Sequence, residues 1–178
     1  MTYRDTITRL AGSTEDAALD LHRRWEAGDL TDNEFAALLA ALVARANGRA
    51  TAVADLALAA SITVSLRRPV APLGLLPPTS DTARLERAAR TLRGRLEDTP
   101  DPAARVARLG RAEPLTAAAR AYSAGMATSP HVTGWSRGLS GKACQLCQWW
   151  SGGGRVFPAE RPMPTHTGCT CTPIPTTR

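Results

Sequence analysis

At 178 residues with aromatics at only 4%, the chain suits one domain, or a helical body with a small appended module, and its core must come mainly from Leu, Ala and Val. Such a core packs helices closely but buries little area per residue, so modest intrinsic stability, or help from a metal or a partner, is expected. The net charge of +6 is uneven: fifteen of sixteen acids lie at or before Glu113 against sixteen Arg, whereas beyond it Glu160 alone faces Arg120, Arg137, Lys142, Arg155, Arg161 and Arg178. This excess is too small to single out nucleic acid as the partner, because an acidic protein surface fits a basic tail equally well.

The start, MTYRDTITRL, lacks the apolar run of a secretion signal. The first predicted helix opens at Ser13 as N-cap with Asp16 at N3, carries Ala17 or Ala18, Leu21 and Trp25 on one face, and ends at Gly28. A second starts at the Thr31–Glu34 capping box, with Phe35, Leu38, Leu39, Leu42, Val43 and Ala46 as a broad apolar stripe. The two should form an antiparallel hairpin. The second helix continues past a weak point at Asn47-Gly48, with an end blurred by the β-branched run Ile62-Thr63-Val64. The most apolar stretch, Leu56 to Leu66, is too short to span a bilayer, so a soluble chain without membrane contact is expected.

Four prolines and a glycine make Arg67 to Pro78 non-helical. Its Val70, Leu73, Leu75 and Leu76 suit either a loop pinned across the helices or a segment that docks on a partner. A third helix follows, capped by Ser80 or Asp81, with Leu85, Ala88 or Ala89, Leu92 and Leu96 inward. Arg84, Arg87 and Arg90 lie outward, and Arg105, Arg108 and Arg111 repeat the step; such a stripe is either a solvated face or a grip on phosphates. Two short helices are expected around Pro102–Leu109 and Pro114–Ala124.

Near Met126 the composition changes to Gly, Ser, Thr, Pro and Trp, and helical periodicity is lost. The organisation expected is a helical hairpin and extended helix over 1–66, an apolar linker over 67–79, a helical segment over 80–125 and a C-terminal module over 126–178. HVTGWSRGL and GGRVFPA supply its short strands. The fold class is therefore mainly α, an Ala/Leu-rich helical body with a small zinc-knuckle module containing short strands.

All four cysteines lie in that module. Cys144 and Cys147 form a C-x₂-C pair; eighteen residues later come His166, Cys169 and Cys171. These are five soft or borderline donors for a tetrahedral ion that needs four. A C-x₂-C turn presents two sulfurs to one metal, and Gly168 frees the backbone before the second pair. Thiolate-rich tetrahedral sites select zinc or iron–sulfur centres, and no cluster spacing is present, which leaves zinc. In a reducing cytoplasm metal is favoured over the alternatives, two disulfides or free thiols beside an ordinary surface His166. Four protein ligands close such a site, so it would be structural and leave no position for a catalytic water. No H-E-x-x-H or phosphate loop is present, no nucleophile–base set is legible, and an HNH-type nuclease would need paired histidines and an asparagine that the tail lacks. His22 and His131 suit surface or packing roles.

Gly134-Trp135-Ser136-Arg137, Cys144, Cys147, Gly154-Arg155-Val156-Phe157, His166, Cys169, Cys171, Pro173 and Pro175 together resemble the C-terminal motif of phage minor head proteins of the phage Mu F-like group, in the style of actinobacterial tailed phages. The match covers about forty residues; the helical remainder agrees only in kind, through Trp25, Gly28 and Leu30, and the chain is small for the group. The resemblance implies a virion component made in the host cytoplasm, held near the portal inside the head, and acting in head assembly or DNA packaging. Its expected partners are portal or capsid protein, with a weak DNA contact through the basic module. Some relatives are described as capsid maturation proteases, an activity for which no residues can be matched here. The alternative reading is a small nucleic-acid-binding zinc protein using Trp135, Trp149 and Trp150 for stacking.

Overall fold

The computed structural model describes residues 2–178. Among them are helices α1 (Tyr3–Glu26), α2 (Asp32–Leu66), α3 (Asp81–Arg93), α4 (Pro102–Thr128) and α5 (Gln145–Ser151), and strands β1 (Val132–Gly138), β2 (Phe157–Pro158) and β3 (Thr172–Thr177). The fold is mainly helical with a small C-terminal sheet, as the composition implies.

The first helix begins ten residues before Ser13. Thr2 caps it, its hydroxyl accepting from the Asp5 amide while the Asp5 carboxylate accepts from the Thr2 amide. Ser13 sits inside the helix and donates to the Leu10 carbonyl at 3.0 Å. The earlier turns hold because Ile7 and Ala11 are buried at helical spacing, and packing overrides the capping preference of Ser13.

α2 starts at the Thr31–Glu34 box and passes unbroken through Asn47-Gly48. Asn47 is buried, donating to Asp81 Oδ2 at 2.9 Å and to Glu113 Oε2 at 3.4 Å, so a residue that weakens an isolated helix here ties α2 to α3 and α4. By length and composition α2 as a whole could cross a membrane, although its most apolar stretch alone could not. In the fold, α1, α3 and α4 all pack against it or against each other.

The two short helices expected after Asp101 are one helix. Asp101 caps it through the Ala104 amide at 2.9 Å, and Pro114 lies inside it. An interior proline costs about 3 kcal/mol. Burial of Val106 before it, and of Leu115, Ala118 and Met126 after it, keeps both halves in one continuous helix.

The proline-rich segment is pinned across the helices. Buried Asp55 accepts the backbone N–H groups of Leu73, Gly74 and Leu75 at 2.9, 2.7 and 3.0 Å. Val70 donates its amide to Thr63 Oγ1 at 3.0 Å. Leu75 packs on the core while Leu76 stays exposed. Ser80 precedes α3 without a side-chain capping bond.

β1 is the central strand, antiparallel to both neighbours in the order β2-β1-β3. β3 was not expected, because TPIPTT carries two prolines. It lies at the sheet edge, where a missing N–H costs least. The sheet sits on the helical body through one shared core: Leu58 and Ile62 of α2, Tyr122 and Met126 of α4, then Trp135, Phe157 and Met163. Met126, where the composition changes, is wholly buried within α4.

Candidate metal centre

Cys144 is the N-cap of α5, and Cys147 follows in its first turn, where the Gln148 amide donates to the Cys144 carbonyl at 3.0 Å. The second cluster is shaped by another tight turn. The Cys169 amide donates to the His166 carbonyl at 3.0 Å, and Gly168 takes φ 75° between them. Gly152, Gly153 and Gly154 turn the chain after α5 with φ of 55°, 67° and 92°. They make a turn and no phosphate cradle.

The five expected donors come together. Cys144 and Cys147 Sγ lie 3.3 and 3.2 Å from His166 Nε2, and the Cys147 and Cys169 sulfurs are 3.6 Å apart. They form two overlapping triads, Cys144–Cys147–His166 and Cys147–Cys169–Cys171, each with its donor atoms within 4.8 Å of one another. Cys147 belongs to both. A tetrahedral zinc with Zn–S of about 2.3 Å needs sulfur–sulfur edges of roughly 3.8 Å, so these separations fit a metal. They do not fit a disulfide, whose sulfurs lie at about 2.05 Å, and all four cysteines are free.

His166 is oriented as a ligand. Its Nδ1 lies 3.1 Å from the Thr167 carbonyl. A carbonyl only accepts, so Nδ1 carries the proton and Nε2 turns its lone pair toward the sulfurs.

Burial grades the donors: Cys147, Cys169 and Cys171 are buried, His166 half-buried and Cys144 exposed. Burial and the adjacent Cys169 and Cys171 sulfurs push the Cys147 thiol well above its ordinary range. The Cys144 thiol is lowered, chiefly by the Cys147 backbone N–H. At Cys171 burial raises the thiol, but hydrogen bonds led by the Ser140 backbone outweigh it and the net shift is downward. A bound dication reverses the balance at Cys147 by stabilising its thiolate directly.

The other two histidines lie away from the cysteines. His22 is buried beside Trp25 and Phe35, with Nδ1 3.3 Å from Glu26. His131 Nδ1 meets Arg68 at 3.5 Å. In the arginine stripe, Arg84 pairs with Asp81 and Glu113, Arg90 with Glu86 and Arg111 with Glu15. Those three are committed to acids. Of the tryptophans, Trp135 fills the core and donates to the Arg161 carbonyl at 2.7 Å, whereas Trp149 is 76% exposed.

Arg137 is the member of the site that donor spacing does not reveal. It lies on β1, is 5% exposed, and directs Nη1 at the sulfurs of Cys147 (3.8 Å) and Cys169 (3.9 Å). The legible signal was a lone cation two residues after a core tryptophan, hence on the same inward face of the strand. Comparisons with protein-family models, with curated proteins and with solved structures give no match for this chain.

Proposed function

We propose that this chain is a non-enzymatic structural protein of a tailed-phage head, a helical scaffold whose C-terminal module is fastened by one zinc ion. In this reading it docks near the portal inside the head and serves head assembly or DNA packaging. The observation that carries it is the convergence of the motif residues. Cys144, Cys147, His166, Cys169 and Cys171, which bear the resemblance to phage minor head proteins, gather into two donor triads that share Cys147. With three cysteines buried and a lone pair aimed at two sulfurs, four of these donors would close the coordination shell. A closed shell fastens a fold and leaves no open position for a reacting water.

Protein purified under reducing conditions should carry one zinc per chain. It should co-purify with portal protein after nuclease treatment. Absence of metal, or loss of the portal interaction on nuclease treatment, overturns the corresponding half of the proposal.

One observation favours a second reading, a nucleic-acid contact. Trp149 is exposed in the basic module, where Lys142 and Arg155 are exposed as well. A stacking platform beside cations suits single-stranded nucleic acid, and a steep salt dependence of DNA binding would mark it.

A further inference from the structure

We infer that Arg137 is the counter-ion of the metal centre, a buried positioning residue whose guanidinium donates to the sulfurs of Cys147 and Cys169 and offsets the negative charge of the ligand shell. The inference rests on the zinc reading above and concerns a residue outside the donor set.

A buried guanidinium is tolerated only when anions and hydrogen-bond acceptors surround it. Arg137 is as buried as the core around it, yet no carboxylate pairs with it among the described residues. Its Nη2 donates to the Pro164 carbonyl, its guanidinium lies 5.4 Å from the Trp150 ring centroid, and its Nε has no partner. The remaining partners are sulfurs, those of Cys147 and Cys169, with Cys171 beside them. Neutral thiols are weak acceptors and would leave the cation uncompensated, whereas thiolates of a zinc centre match it in charge.

The balance also works from the metal's side. Zinc with four thiolates carries a charge of −2, and with three thiolates and a neutral histidine −1. Either is costly to bury alone. One guanidinium against Cys147 and Cys169 cancels one unit on the buried side, away from exposed Cys144. β1 fixes its place: Arg137 is paired across the sheet with Pro173, two residues beyond Cys171. The strand therefore delivers the cation and the second cysteine cluster to the same point.

Zinc affinity is read by competition with a chromophoric chelator in the full chain. Arg137→Gln, which removes the charge but keeps a donor for Pro164, should weaken zinc binding about 10- to 100-fold, the usual effect of losing an outer partner of a metal ligand. Arg137→Lys should restore most of it. In the cobalt-substituted protein, Arg137→Gln should also move the thiolate-to-metal charge-transfer band to longer wavelength, because sulfurs without a nearby cation release electrons more readily. A purely structural role would leave that band in place.

In the parent protein loaded with cadmium-113, the Arg137 guanidinium protons should show scalar coupling to the metal across the N–H···S bonds. This measurement stands even where the variants fail to fold. Unchanged affinity and band position in Arg137→Gln, or absent coupling in the parent, overturn the inference while leaving the zinc reading intact. A parent protein that takes up no metal overturns both.

Discussion

Arg4, in the first turn of α1, donates through Nε to the carbonyl of Thr170, 166 residues away and between Cys169 and Cys171, at 3.1 Å. Its Nη2 reaches the Gly138 carbonyl at 3.0 Å and Thr172 Oγ1 at 3.4 Å. One side chain from the start of the chain thus holds the end of β1, the start of β3 and the second cysteine loop. Hydrogen bonds from a charged donor contribute about 1.5–3 kcal/mol. Arg4→Met should lower stability by an amount in that range and speed amide exchange at Thr172 and Cys171 more than within α3. Uniform exchange changes across the chain would contradict a local clamp.

Chelation should act on the module unevenly. Trp135, Phe157 and Met163 pack with α2 and α4 in a cluster that contains none of the cysteines. Cys147, Cys169 and Cys171 form a separate small cluster with Ala143 and Trp150. Removing zinc should therefore unprotect α5 and the His166–Cys171 loop in hydrogen exchange, while β1 and the long helices keep their protection. Loss of protection in α2 or α4 on chelation would show that the metal supports the whole fold.

Cys147 is common to both donor triads, and Cys144 belongs to one and is exposed. Cys147→Ser should abolish stoichiometric zinc, because that sulfur is the one common to both triads. Cys144→Ser should weaken zinc but leave it measurable, since Cys147, His166, Cys169 and Cys171 remain. Zinc content by atomic emission after gel filtration distinguishes the two, and equal losses would refute the ranking.

Gly110 lies where α4 packs closely on α1. A Cβ there would lie 3.0 Å from Ala18 Cβ, 3.0 Å from the Thr14 carbonyl oxygen and 3.1 Å from Glu15 Cα. Two of these are backbone atoms and cannot step aside. Gly110→Ala should cost about 1–3 kcal/mol, the range for overpacking, despite alanine's better helix propensity. Urea unfolding checks it; a stabilised variant would show that α1 yields.

Acid should loosen α3. Burial raises the Asp81 carboxyl, but hydrogen bonds from Asn47 and Arg84 outweigh it and the net shift is downward. A carboxyl lowered by folding contributes its full stability above the unfolded value of about 3.9, and loses it as pH falls through the lower, folded value. The stability difference between the parent and Asp81→Asn should therefore be larger at pH 6 than at pH 3. The metal centre is common to both proteins and cancels in the comparison. A constant difference would remove Asp81 from the acid response.

What the sequence determined by itself was local. The Thr31–Glu34 box, the apolar stripe of α2, the turn at Gly168 and the spacing of the five donors follow from short-range geometry, and the chain keeps them. Tertiary structure decided wherever a distant partner outweighed a local preference. Packing of Ile7 and Ala11 carried α1 past Ser13, and burial on both sides of Pro114 fused two short helices into one. Asn47 stays helical because Asp81 and Glu113 receive its amide. β3 forms despite its prolines because β1 offers an edge. The site divides in the same way: donor spacing is written along the chain, but Arg4 and Arg137 reach the cysteines only once α1 and β1 are folded against them. A counter-charge leaves no spacing rule, because its partner is a place in space.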